Sequence, residues 1–141
     1  MTFPRLPDHE RAWALVERDD GVVYRLYGGT AGPRLPHDIT HLVAERELRI
    51  KDGIWAGIAA GVVFDSMRAE LLADLVSSAA ALDHLTPEEI RRLADVKLSV
   101  LPELDVDPAV IAAAARALQV EASRWARLRV GEELCYEWPG R

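Results

Sequence analysis

Three observations predict an α+β fold. A hairpin pattern precedes residue 28, helical patterns fill the middle of the chain, and an alternating segment around Cys135 needs a strand partner. The expected architecture is an N-terminal β-hairpin, about four helices, and a C-terminal strand that joins the hairpin in a small antiparallel sheet. No repeat, low-complexity tract or linker divides the chain, so a single globular domain over 1–141 is expected.

The hairpin is read from "RAWALVER" and "VVYRLY", two segments rich in β-branched and aromatic residues, joined by Asp19 to Gly21. Asp-Gly supplies the positive φ that tight hairpin turns require. The next stretch, "GGTAGPRLP", reads as a loop, because its glycines and prolines do not favour a strand. "PHDITHLVAEREL" reads as a helix with Pro36 in the first turn and Gly53 as its stop beyond "RIKD". Ile39, Leu42 and Val43 form one stripe of it; His37, His41 and Glu45 form the next. The run Ile54 to Phe64 is apolar all round, which predicts a buried helix.

"MRAELLADLVSSAAALDHL" carries Leu71, Leu72, Leu75, Val76, Ala79 and Leu82 at amphipathic spacing. Thr86, Pro87 and Glu89 form a capping-box start for the following helix, and Asp107 with Pro108 repeats the device. In the tail, Leu134, Tyr136 and Trp138 alternate with Cys135 and Glu137, as in a strand with one buried face.

Half of the 141 residues are hydrophobic, enough for a real core. A formal net charge of -6 argues against a broad electrostatic grip on nucleic acid or an anionic membrane. The longest apolar run is too short to span a bilayer, and "MTFPRLPDHERAW" lacks the apolar core of a signal peptide. With Cys135 as the single cysteine, a reducing cytoplasmic location is expected.

The chemical lead is "PRLPHDITHLVAERE", residues 33–47. His37 and His41 stand four apart, so on a helix their imidazoles are neighbours and can chelate one divalent ion, zinc first, iron or manganese next. HExxH metallohydrolases use this spacing, with a general base directly after the first histidine. Here that slot holds Asp38, one methylene shorter than glutamate, which puts proteolysis by that route in doubt. His37 lies in the first turn, where the helix dipole favours the neutral, metal-binding imidazole.

Glu45 can share an ion with His41. It cannot easily share one with His37, because eight residues of helix span roughly 12 Å. A further ligand must therefore come from elsewhere. Asp65 is preferred, at the end of the apolar helix; Glu70, His9 and His84 are the other candidates. The expected set is His37, His41, Glu45 and Asp65, with Asp38 as catalytic base. The competing structural reading makes Asp38 a dipole-complementing acid and packs both histidines against Trp55.

Other candidates carry less chemistry. The serines lack a nucleophile-elbow context, Cys135 has no basic neighbour in sequence, and "YGGTAG" lacks a phosphate-loop lysine. Arg116, Arg124, Arg127 and Arg129 read as a solvated strip balanced by glutamates.

"LPHDITHLVAERELRIKDGIWAGIAAG" resembles a segment of small uncharacterised actinobacterial proteins with an LPHDLxHxxVE pattern. "WARLRVGEELCYEWP" is similar to their closing strand. The two stretches cover under a third of the chain. The resemblance implies a shared fold and weight on His37, Asp38, His41 and Glu45 as a unit; it implies no activity.

Two function classes follow. The first is a metal-dependent hydrolase that activates water. The second is a non-enzymatic interaction or accessory protein with structural histidines. A small-molecule pocket walled by Trp13, Tyr24 and Trp55 is a third possibility.

Overall fold

The computed structural model describes residues 1–62, 66–101 and 104–138. Its elements in chain order are β1 (Thr2–Pro4), β2 (Arg11–Glu17), β3 (Val23–Thr30), α1 (His37–Glu47), α2 (Ile54–Ala60), α3 (Met67–Ala80), α4 (Pro87–Lys97), α5 (Pro108–Arg127) and β4 (Glu133–Cys135). The α+β class holds. The helices number five among the described residues against about four expected, and the apolar run predicted as a helix is the short α2. Contacts group the chain into two compact units, one of Met1–Ile39 with Glu121–Arg141 and one of Thr40–Val120.

The first unit holds a four-stranded antiparallel sheet in the order β3-β2-β1-β4. The β2–β3 hairpin turns where expected, with Gly21 at φ 83° and the Val22 amide donating to Asp20 Oδ1 at 3.2 Å. The C-terminal strand joins the sheet through β1, pairing Phe3 with Leu134, rather than lying against the hairpin itself. Strand β1 is a three-residue segment that hydrophobic patterning does not pick out.

The expectation that Gly28 and Gly29 end the strand is corrected, because β3 runs on to Thr30. A bulge between Arg11 and Trp13 keeps the pairing going. A Cβ on Gly28 would lie 2.7 Å from Asp38 Oδ2, so a larger residue there would displace the Asp38 carboxylate. Inward-facing Phe3, Ala14, Val16, Leu134 and Tyr136 are buried. Phe3 meets Tyr136 edge to face at 5.7 Å, and the Tyr136 hydroxyl donates to buried Glu121 at 2.6 Å. On the opposite face, Arg25 stacks on Trp13 and Arg11 on Tyr27.

The second unit is helical. Helix α1 ends in a Schellman turn: Ile50 N–H donates to the Glu45 carbonyl, Arg49 N–H donates to that of Arg46, and Arg49 adopts φ 54°. Gly53, expected to stop α1, instead begins α2 as its N-cap. The apolar run is less buried than predicted: α2 buries Trp55 and Gly57 while Ala59 is exposed. Its alanines and glycines carry too little side chain to require burial all round. Gly61 at φ 74° terminates it.

Helix α3 buries Leu72, Leu75, Val76 and Ala79 as expected, and Ser66 caps its start. Helix α4 begins with the predicted Thr86–Glu89 capping box, and Asp107 caps α5 by accepting from the Ala109 amide at 2.8 Å. Lys97 pairs with Asp74 at 2.8 Å between α4 and α3. Ile50, Ala69 and Leu72 form a core cluster beside Leu48, Leu104 and Val106. Among the described residues, no helix is long and apolar enough to cross a membrane.

Candidate metal centre

Helix α1 is buried without interruption from Ile39 to Glu45, so the histidine stripe is not a solvent face. His41 and Glu45 are each 1% exposed. His37, one turn earlier, is exposed at the helix start.

A buried carboxylate persists only where hydrogen bonds replace water. Glu45 finds them at the start of α2. Its Oε1 accepts from the Ile54 amide at 2.8 Å, and its Oε2 accepts from the amides of Trp55 at 2.9 Å and Ala56 at 3.4 Å. Gly53 contributes no side-chain cap there. Glu45 is thus the cap of α2, supplied by α1, and its negative charge complements the positive end of α2. A Cβ on Gly53 would overlap the Glu45 carboxylate, so only glycine fits at that position.

Glu70 arrives from the first turn of α3. That turn is fixed by Ser66, whose Oγ accepts from the Ala69 amide at 3.2 Å. Asp52, between α1 and α2, accepts from Ser66 Oγ at 3.2 Å and from Arg68 at 3.0 Å, which ties the interhelical loop to the start of α3. Glu70 Oε2 then lies 3.2 Å from His41 Nε2, while its side chain stays 53% exposed.

His41 therefore stands between two carboxylates, with Nδ1 facing Glu45 Oε1 at 3.6 Å and Nε2 facing Glu70. Burial acts to lower its pKa. The combined pull of Glu45 and Glu70 outweighs burial and raises the pKa above the ordinary 6.5. His37, His41 and Glu70 each offer one ligand atom, and these atoms all lie within 4.8 Å of one another. Ligands bound about 2 Å from a tetrahedral ion sit roughly 3.3 Å apart. The His41–Glu70 distance matches that spacing, and the exposed His37 side chain has room to adjust.

The expected ligands separate in this structure. His37 and His41 come together. Glu45 lies against the other nitrogen of His41 with both oxygens engaged by α2. Asp65 lies outside the described residues. Among the downstream candidates, Glu70 is the one that joins the group; His9 and His84 are not members. Asp38 turns its carboxylate toward β3 at Gly28. The small-molecule pocket is corrected at one wall: Trp13 pairs across the sheet with Tyr27, whereas Tyr24 pairs with Val16. Trp13 and Tyr24 therefore lie on opposite faces of the sheet. Of the arginine strip, Arg129 pairs with Glu132 on the surface, as expected of a solvated face, whereas Arg124 pairs with buried Glu121.

Comparison with protein-family models, with curated proteins and with solved structures returns no match. The chemistry of the residues themselves is the guide to function. Two features of the centre escape sequence reasoning. Nothing in the spacing ranks Glu70 above Asp65, and nothing in the spacing marks Gly53 as the partner of Glu45.

Proposed function

We propose that the chain binds a divalent metal ion through His37, His41 and Glu70 and uses it to hydrolyse a substrate. The observation that carries this reading is the convergence of two imidazole nitrogens and one carboxylate oxygen within 4.8 Å. Two nitrogen donors and one oxygen suit zinc, with iron or manganese as close competitors. Three protein ligands leave a coordination position open, the arrangement of catalytic rather than structural sites. An ion there supplies Lewis-acid activation of a water molecule. The chain's own contribution is to hold His41 rigidly in the interior and to present His37 and Glu70 at the surface. Asp38, next to His37 in sequence, serves as base in this reading only on turning its carboxylate from Gly28, where it lies, toward the ion.

Elemental analysis of untagged protein purified in metal-replete medium tests it. About one equivalent of zinc, iron or manganese is expected, with loss in His37→Ala, His41→Ala and Glu70→Gln. Asp38→Asn should keep the metal and lose hydrolysis. No metal in the folded wild-type protein, and no heat of zinc binding by calorimetry, would retire the reading.

A second reading is supported by the ion pairs themselves. A protonated His41 between Glu45 and Glu70 balances the buried charge without an ion. The centre is then a strut in an accessory protein. That reading expects no metal and a loss of stability in His41→Ala.

A further inference from the structure

We propose that Glu45 is the positioning carboxylate of this centre, held in place by the missing side chain of Gly53, so that metal occupancy and the docking of α2 are coupled. The inference rests on the metal reading above.

The tautomer decides the roles of the two glutamates. Nε2 of His41 lies 3.2 Å from Glu70 Oε2, whereas Nδ1 faces Glu45, so Nε2 is the atom placed to share an ion with Glu70. A neutral imidazole that ligates through Nε2 carries its proton on Nδ1, and the carboxylate oxygen on that side is Glu45 Oε1 at 3.6 Å, a separation that a small tightening on metal binding would close to a hydrogen bond. A carboxylate behind a ligating histidine fixes the ring orientation and raises its basicity.

Glu45 can do this because it cannot swing away. The Ile54 and Trp55 amides hold its two oxygens at 2.8 and 2.9 Å, and the carboxylate fills the space that a Cβ on Gly53 would occupy. The first amides of α2, the Glu45 carboxylate and the His41 ring thus form one continuous chain of contacts. Orientation at the ligand depends on where α2 begins. By linkage, a ligand that tightens His41 also tightens the start of α2.

Calorimetric titration with Zn²⁺ and absorption spectra with Co²⁺ would be measured for wild type, Glu45→Gln and Gly53→Ala. Amide exchange of the wild type would be followed with and without Zn²⁺. Affinity is expected to fall 10–100-fold in both variants, with a changed Co²⁺ ligand-field spectrum even though neither substitution replaces a ligand. In the wild type, Zn²⁺ should slow exchange at Ile54, Trp55 and Ala56.

If the wild type binds neither ion, the metal reading itself fails. If it binds but both variants match it in affinity and spectrum, Glu45 is only a helix cap and this inference fails alone. Should the variants not fold, the wild-type exchange decides: unchanged protection at the three α2 amides on Zn²⁺ binding overturns the coupling.

Discussion

His41 is flanked by one carboxylate sealed in the interior and one half open to water. Burial opposes its charge, and Glu45 with Glu70 reverse the balance, so the folded pKa is above 6.5. A pKa raised on folding contributes stability that is fully present below the unfolded value and lost as pH rises through the folded value. Urea unfolding of chelator-treated protein should therefore show stability declining as pH climbs from about 6.5. Glu70→Gln removes one of the two attracting charges and should flatten that decline. A wild-type profile that is flat across the same interval would mean that the carboxylates do not hold the proton.

Among the elements, the ends of α1 and α2 show where local rules yield to tertiary ones. Arg49 occupies the left-handed position of the α1 Schellman turn, where a side chain costs about 1 kcal/mol relative to glycine. Arg49→Gly should stabilise the protein by about 0.5–1 kcal/mol despite the added freedom of the unfolded chain, read as a higher urea midpoint at unchanged slope. A lower midpoint would show that Arg49 makes compensating contacts.

The helices were legible where their signals are local. Thr86, Pro87 and Glu89 mark the start of α4 within four residues, and Asp107 with Pro108 marks that of α5. The role of Glu45 was not legible, because its partners lie nine to eleven residues ahead in another helix. The histidine pair was visible from spacing alone. Its partner Glu70 depends on how α3 approaches α1, which no periodicity encodes. Gly28 and Gly29 read as strand breakers because the pairing that carries β3 on to Thr30, opposite Arg11, is absent from the local sequence.

At the scale of the molecule, the sheet depends on its shortest interior strand. β1 alone connects β4 to the hairpin, and Phe3 anchors it at 2% exposure against Tyr136. Phe3→Ala should cost about 3–5 kcal/mol. Amide exchange should then accelerate at Leu134 and Tyr136 before it does at Ala14 and Val16. Equal loss of protection at all four would make the sheet a single cooperative block.

The pairing of Thr2 with Cys135 closes a separation of 133 residues. A ribosome adding about 5–20 residues per second needs on the order of ten seconds to cover that interval. For most of it, the hairpin and β1 have been made while the edge that β4 will cover stays bare. The helical unit, whose residues Thr40–Val120 are all made before β4, can fold in the meantime. The edge of β1 is therefore open to other pairing until the last strand arrives to cover it.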